Sequence, residues 1–548
     1  MNREKSSFSF WLLFLPALLG FALLRLATRW GPGIGGDATI YIESARNFLA
    51  GHGLGLLGPR GEFRLLPYFP PFYSLVIAAL GWMGVDLVAA AHWVNMLSFA
   101  GLIFLTGAVT LRISRSWLLA LAIELLLAMS PVLIPTYSWA MSEPLSFLLG
   151  FAALVSMLSY LGVGVSANGS SVPRRGKVLL LLSALLAGCS FLTRYSSVAF
   201  VAVGVLGVLL LDVGRVGIRL LKVLRYALVA LFPMTVWVVY DLTHTAALAS
   251  RSLESSTGMA SRFVNFWQLL QEVILFWLIP DSWIYAPRYP SSLNTFLVPL
   301  FVLALLGGVL LVAWKLRRAG SLRFQDQSQQ FGLLLLLFIL LYLLVLLVVY
   351  VMTYPPITIG SRMLSPAHIA VLWLVVVLMS LSLHVWRARG VRVVLLAGLA
   401  LAIVWYGWRS ARIVAQYYQT GLGYTSTAWR ASGTIEAVKD LPQDILLVSN
   451  ETNAILFLTG RPAYPLMEIY RDHPLEVFSA YGSGDLTADE PQRLFREGKA
   501  VLVLFDTIDD QLVGLYGDRT AERIAALVKG LYRATRAEDG GIFYYHKP

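Results

Sequence analysis

The sequence predicts a polytopic α-helical membrane protein with about eleven transmembrane helices and a C-terminal extracytoplasmic α/β domain. Three observations carry this. The 548 residues are 57% hydrophobic and only 14% charged, with a mean hydropathy of +0.70, far from the averages of soluble domains. Apolar runs of about 17–25 residues recur along the first three quarters, each long enough to cross a hydrocarbon core of about 30 Å. Beyond residue 409 the pattern changes to short alternating strand-like and helical segments.

The chain opens with Asn2-Arg3-Glu4-Lys5 before the apolar stretch Phe8 to Ala27. That stretch is too long for the apolar part of a signal peptide and lacks a small-x-small cleavage site, so it reads as an uncleaved first span with a cytoplasmic N-terminus. Basic loops then set the threading. Arg112 to Arg115, Pro173 to Lys177, Arg215 to Arg225, Lys315 to Arg323 and Arg387 to Arg392 all belong on the cytoplasmic side. This gives spans near 8–28, 86–111, 117–136, 143–163, 178–193, 197–213, 226–242, 293–314, 331–352, 367–385 and 393–409. The apolar stretch 70–84 is not counted, because a crossing there would invert every later basic loop. It reads as packed on the outer membrane face or re-entrant, where irregular backbone needs a covering of protein or water.

Residues 1–409 thus form a transmembrane domain with two large external loops, 29–85 and 243–292. The second is polar and aromatic, with Arg251, Glu254, Arg262, Asp281, Tyr285, Arg288 and Tyr289. The short link 353–366 lies on the same side. Residues 410–548 form the external domain. Strands are expected at 444–449, 500–505 and 542–545, and helices at 425–440, 451–459, 489–498 and 518–531. It has no Gly-rich phosphate fingerprint, which excludes the usual nucleotide-binding loops. The net charge of +12 sits largely in short inter-span loops and does not imply nucleic acid. A single cysteine, Cys189, excludes an intramolecular disulfide and a Cys-based metal site. The seven histidines are scattered without metal-ligand spacing.

The first external loop carries Asp37, in Gly36-Asp37-Ala38-Thr39-Ile40-Tyr41. An amphipathic stretch follows, with Tyr41, Ala45, Phe48 and Leu49 on its apolar face and Gly51-His52-Gly53 at its end. Asp37 fits an N-cap, which would also hold its carboxylate rigidly beside the membrane. Glu143, in Ser142-Glu143-Pro144, opens the fourth span on the same side, where Ser142 could cap and Glu143 favour the helix dipole. Glu124 lies mid-span, a costly place for a carboxylate. Arg194 and Arg362 fall at external turns, against the positive-inside trend. Either a lipid-linked phosphate or lipid headgroups would account for them. The cluster Tyr68-Phe69-Pro70-Pro71-Phe72-Tyr73 reads as a rigid interfacial bend.

These elements, taken in order, resemble the GT-C superfamily of polyprenyl-phosphate-sugar glycosyltransferases, near its bacterial protein O-mannosyltransferase and lipid A aminoarabinose transferase relatives. The matching segments are 36–41 and 45–53, Pro70 to Leu75, Ser142 to Leu145, Leu192-Thr193-Arg194 and Ser361 to Pro366. In the tail they are Ser449-Asn450-Glu451 and Leu458 to Pro462. The resemblance implies a GT-C type fold in the plasma (inner) membrane, with Asp37 as catalytic base and Glu143 as a second acidic site. It implies Arg194 and Arg362 on the leaving phosphate, and Tyr41, His52, Tyr68 and Tyr73 as further substrate contacts. The implied partners are a polyprenyl-phosphate-linked sugar donor, membrane lipids, and a protein, glycolipid or polysaccharide acceptor. Many members follow the Asp with Glu where this chain has Ala38, so no metal ligand is assigned and a divalent metal stays open as a cofactor. The implied reaction is inverting transfer to an acceptor hydroxyl. The alternatives are a lipid or glycan transporter (flippase), for which the chain lacks repeat symmetry, and a non-catalytic scaffold. Asp37 and Glu143 on opposite membrane faces would favour either alternative.

Overall fold

The computed structural model describes residues 11–65, 69–163, 174–212, 215–245, 252–253, 259–280, 283, 292–318, 326–354, 356–386, 388–466 and 490–547. Helix α1 (Phe14–Ala27) leads through a glycine-rich link to α2 (Gly36–Leu49). A two-stranded hairpin, β1 (Gly55–Leu57) and β2 (Phe63–Leu65), follows. Then come α3 (Phe72–Trp82), α4 (Leu87–Ser114), α5 (Trp117–Ala128), α6 (Leu133–Ser138), α7 (Glu143–Gly162), α8 (Arg174–Thr193) and α9 (Val198–Leu211). The membrane part continues with α10 (Val216–Thr245), β3 (Ser252–Leu253), α11 (Met259–Leu278), α12 (Ser292–Arg318), α13 (Gln327–Met352), β4 (Thr353–Tyr354), α14 (Ser361–Val385) and α15 (Arg389–Thr420).

Eight of these helices are long and apolar enough to cross a membrane, and they coincide with eight of the expected spans. The other three expected spans fall on the shorter apolar helices α1, α5 and α9. Helix α3 has 11 residues, about 16 Å at 1.5 Å per residue, half of a hydrocarbon core. Side chains between spans interlock closely. A Cβ added to Gly188 would lie 2.5 Å from the Ala230 carbonyl oxygen, and one added to Gly150 would lie 2.2 Å from the Phe200 ring. Small residues at such crossings let helix backbones approach, which is the main source of packing energy where lipid is as apolar as the protein.

The basic turns gather at one end of the bundle. There Arg112 donates to Ser159 Oγ at 3.0 Å, Ser328 Oγ donates to the Ile113 carbonyl, and Asp212 takes Lys222 Nζ at 2.6 Å and the Tyr160 hydroxyl at 2.9 Å. Asp37, Glu143, Arg194 and Arg362 lie at the opposite end.

Between residues 117 and 292 two expectations change. The span expected over 117–136 is broken: α5 ends at Ala128 and α6 starts at Leu133. Pro131 has no N–H to continue the ladder, and Ser130 Oγ takes the Val132 and Leu133 N–H groups while meeting His368. The region expected as an external loop, 243–292, contains the 20-residue helix α11. Its buried Phe266, Leu270, Val273, Ile274 and Trp277 recur at helical spacing. Arg262 near its start donates to the Val351 and Thr353 carbonyls, and Arg409 donates to the Phe276, Trp277 and Ile279 carbonyls at its end. A cation on these orphan carbonyls satisfies both hydrogen bonding and the helix dipole. Arg251, Glu254, Asp281, Tyr285, Arg288 and Tyr289 lie outside the described residues.

Helix α15 runs for 32 residues, past the expected exit at 409, and delivers the chain to the C-terminal domain. There α16 (Thr427–Arg430), α17 (Gly433–Lys439), β5 (Leu446–Ser449), α18 (Thr452–Thr459), β6 (Tyr464–Pro465), α19 (Glu490–Arg496) and β7 (Ala500–Phe505) follow. The chain closes with α20 (Ile508–Tyr516), α21 (Thr520–Val528), β8 (Tyr532–Ala537) and β9 (Gly540–Tyr544). The sheet order is β6-β5-β7-β9-β8, parallel among the first three strands and antiparallel at β9 and β8. Strand β7 is buried on both faces, with Leu502 and Leu504 in one cluster and Val501 and Val503 in the other. That explains its continuous apolar run. The helix expected at 425–440 is split, because Ser432 caps α17 through the Ile435 N–H. Beyond the three expected strands the sheet includes β6 and β8.

Candidate active site

The segment before Asp37 is held on both edges. Gly33 exchanges backbone hydrogen bonds with Ser138 and Ala140, at 2.8 and 2.9 Å, and the Ile34 carbonyl accepts the Tyr424 N–H at 2.8 Å. This short ladder joins three distant parts of the sequence: the loop of Asp37, the approach to Glu143, and the entry to the C-terminal domain. The Trp139 indole lies across the joint. A Cβ on Gly33, Gly35 or Gly423 would sit 2.7, 3.1 or 2.8 Å from its ring, so the glycines are what let it in.

Helix α2 therefore starts at Gly36, with Gly35 in the capping position and Asp37 in the first turn. Asp37 is not an N-cap. Its Oδ2 instead takes Arg362 Nη2 at 3.2 Å, while its charge still favours the helix dipole. Ser142 does occupy the N-cap position of α7, but its side chain makes no capping bond. Its hydroxyl pairs with the Tyr41 phenol at 2.9 Å and accepts from Arg194 Nη1 at 3.4 Å.

Glu143 joins the two arginines. Its Oε1 lies 2.8 Å from Arg194 Nη1 and 3.1 Å from Arg362 Nε. Only 1% of its side chain is exposed, against 33% for Asp37 and 40% for Arg362. A carboxylate this buried is tolerable because two guanidiniums flank it. The exposed members, Asp37 and Arg362, are the ones a substrate can reach. Arg194 reaches the group from the turn between α8 and α9, where Ser146, Ser190 and Ser197 hydroxyls bond one another. Its other terminal nitrogen meets Met363 Sδ. Arg362 projects from the first turn of α14, whose N-cap Gly360 is extended.

The aromatic candidates form a supporting layer. Tyr41 is buried and packs edge-on against Phe69 and Tyr73. Burial pushes its phenol well above its ordinary value, so it stays a neutral hydrogen-bonding group. Tyr73 donates to Asn95 Oδ1 at 3.0 Å, and Asn95 Nδ2 donates to the Trp139 carbonyl. Asn95, a lone amide in an apolar helix, is the sequence signal of this contact. His52 is exposed just beyond the far end of α2 and is not brought to the group. Tyr68 lies outside the described residues. Glu124 is also remote: it is fully buried against Gly107 of α4.

Beside Arg362 a cavity of about 400 Å³ opens between α6, α11, α14 and α15. Trp139, Thr136, Phe276, Ser361, Arg409 and Tyr417 are among its walls. Arg362 lines it too, and is the one lining residue that the sequence marks as a candidate site residue.

A bundle of apolar helices with a C-terminal α/β domain, and paired carboxylates and guanidiniums at the end facing that domain, is an architecture that solved structures share. The fold is similar to that of ArnT from Cupriavidus metallidurans, solved with undecaprenyl phosphate bound. That match has 14% identity and a TM-score of 0.55, over 97% of this chain and 97% of that one. It is also similar to the oligosaccharyltransferase AglB from Archaeoglobus fulgidus, in complex with an inhibitory peptide and a dolichol-phosphate. Here identity is 12% and the TM-score 0.53, over 99% of this chain and 74% of that one. The likeness is one of fold, and the chain is an integral membrane protein with the GT-C fold. No family model matches it, and no curated protein matches it in sequence.

The donor set around Asp37 and Glu143, among the described residues, does not fit a resident divalent metal. Among the described residues no three His, Cys, Asp or Glu side chains converge, and both carboxylates of the group are engaged by arginine. Ala38 supplies no second acid beside Asp37.

Proposed function

We propose that the protein is an inverting glycosyltransferase that moves a sugar from a polyprenyl-phosphate carrier to an acceptor hydroxyl on the extracytoplasmic side of the plasma membrane. The observation that carries this reading is the continuous group Asp37–Arg362–Glu143–Arg194 at one end of a GT-C bundle. That Asp37 and Glu143 share one end favours transfer over the transporter and scaffold alternatives. The bound lipid phosphates of ArnT and AglB support a carrier of that class.

In the reaction the carrier phosphate takes the exposed edge of Arg362, which frees the Asp37 carboxylate. The acceptor hydroxyl oxygen attacks the anomeric carbon and gives its proton to Asp37. The bond from that carbon to the phosphate oxygen breaks, and its electron pair stays on the departing phosphate. Attack opposite the leaving group inverts the anomeric centre. A positioned base contributes about 10²–10⁴-fold to such a step. Arg362 and Arg194 are preorganised donors for the charge that grows on the phosphate. Glu143 acts through them, fixing both guanidiniums, and is a positioning residue. The acceptor is a protein, a glycolipid or a cell-surface polysaccharide.

The test is incubation of the purified protein with a panel of polyprenyl-phosphate sugars and candidate acceptors, scoring release of the carrier phosphate. Release that needs both a donor and an acceptor supports the reading. Carrier movement across a bilayer without release would replace it with the transporter.

A further inference from the structure

The tail segment Ser449-Asn450-Glu451, at the carboxyl end of β5, is unused by this mechanism. Asn450 staples that end to the exit of β7. Its Oδ1 accepts the Phe505 N–H at 2.9 Å, and its Nδ2 donates to the Phe505 carbonyl and to Thr507 Oγ1. Glu451 stands at the N-cap position of α18 but makes no capping bond. Its carboxylate instead accepts from the Thr507 hydroxyl at 2.8 Å, Gln511 Nε2 at 3.0 Å and the Tyr424 phenol at 3.2 Å. A carboxylate that gathers three donors from three segments joins those segments more than it serves its own helix. Arg461, in the second tail segment Leu458 to Pro462, donates to the Val438, Leu441, Pro442 and Ile445 carbonyls. It thereby fixes the turn that leads into β5.

Tyr424 carries this contact to the site. Its N–H donates to the Ile34 carbonyl at 2.8 Å, three residues before Asp37. Its ring and Phe457 of α18 pack on the apolar cluster of Ile34, Ala38 and Tyr41 around α2. We infer that Glu451 is a positioning residue for the transfer reaction, holding the Tyr424 phenol and, through the Tyr424 backbone, the segment that sets Asp37 in place. The inference rests on the glycosyltransferase reading and adds the C-terminal domain to its machinery. A reacting group misplaced by about 1 Å can cost about 10²-fold, so a contact remote from the reacting atoms still bears on turnover. Carrier affinity is a separate matter, because Arg362 and Arg194 are borne by α14 and by the turn between α8 and α9.

The experiment uses the full-length protein as Glu451→Ala, Glu451→Gln, Tyr424→Phe and the double variant Tyr424→Phe/Glu451→Ala, in detergent or nanodiscs. Two readouts are taken: carrier release with a donor the wild type uses, and hydrogen exchange at the amides of Gly33, Ala140 and residue 424. Losing a hydrogen bond to a charged group is expected to lower kcat about tenfold in Glu451→Ala and in Tyr424→Phe. Donor KM and affinity for undecaprenyl phosphate are expected to stay at the wild-type value. Glu451→Gln keeps an acceptor for the phenol and is expected to restore most of the loss. The double variant is expected to lose no more than Glu451→Ala, since both substitutions remove one contact. Exchange at the three amides is expected to quicken about tenfold in Glu451→Ala and Tyr424→Phe. Tyr424→Phe keeps the ring packing, so it tests the contact even where Glu451→Ala unfolds. Wild-type kcat in Tyr424→Phe, losses that add in the double variant, or carrier affinity that falls in step with kcat overturns the inference. Unchanged exchange at the three amides overturns it as well. If the wild-type protein transfers from no donor, the glycosyltransferase reading fails, and quickened exchange in the variants still supports the hold of Glu451 on the Asp37 segment.

Discussion

Arg362 reaches Asp37 across 325 residues of sequence, with Nη2 3.2 Å from Oδ2. The same guanidinium turns its Nε to Glu143 at 3.1 Å. One side chain thus binds the exposed carboxylate to the buried one. Its planar fork allows this, since separate nitrogens face separate partners, whereas an ammonium is a single point.

Arg362→Lys therefore tests geometry at constant charge. The lysine can hold one carboxylate but not both while also meeting a phosphate. Turnover is expected to fall about 10²-fold or more, the scale of losing one preorganised donor. Steady-state carrier release by the purified variant checks this. Activity within a factor of two of wild type would mean that charge alone suffices.

Glu143→Gln leaves two guanidiniums without their shared counter-ion. Breaking a buried pair costs about 3–5 kcal/mol, so thermal stability in detergent is expected to fall along with affinity for undecaprenyl phosphate. Glu143→Leu should be worse for affinity, because it presents neither charge nor a polar atom to either arginine. Retention of carrier affinity in both variants would remove Glu143 from its positioning role.

Gly423 has φ of +53°, and a Cβ there would lie 2.0 Å from the Ile34 carbonyl oxygen as well as 2.8 Å from Trp139. Gly423→Ala is strained by both backbone and contact. It should loosen the joint between the C-terminal domain and the Asp37 segment. Faster proteolysis near residues 421–432, with a lowered kcat, is the expected result. An unchanged cleavage rate would show that the joint yields without consequence.

In the C-terminal domain the Asp539 carboxylate accepts from the Ser432 hydroxyl and from the Thr434 hydroxyl and N–H. Burial by itself would raise its pKa, but these hydrogen bonds outweigh it and hold the carboxyl below its ordinary value. A depressed folded-state pKa stabilises fully above the unfolded value, about 3.9, and that stability is lost as pH falls through the folded one. Hydrogen exchange at β8, β9 and α17 should therefore accelerate below about pH 4, and Asp539→Asn should flatten that dependence. An identical acid response in the variant would exclude Asp539 as its source.

Much of the fold was legible because membrane spans are written in long apolar runs and basic turns. Asp37, Glu143, Arg194 and Arg362 were visible as charges in costly places. Their local roles were not. Asp37 and Ser142 both looked like N-caps, since capping is the commonest use of those residues at those positions. The partners that displaced it, Arg362 and Tyr41, lie hundreds of residues or one hundred residues away. Trp139 carried no signal of its own, because its place depends on Gly33, Gly35 and Gly423 meeting in space. Helix α11 was hidden by the polar and aromatic residues of its exposed face, although Phe266, Leu270, Ile274 and Trp277 kept the helical period.

The most direct test of the account is transfer by Asp37→Asn, assayed as carrier-phosphate release with a donor that the wild-type protein uses. Asparagine keeps the shape and can still accept from Arg362, but it cannot take the acceptor's proton. The account predicts turnover reduced by about 10²–10⁴-fold, with thermal stability and undecaprenyl phosphate binding close to wild type. Near-normal turnover in that variant would contradict it.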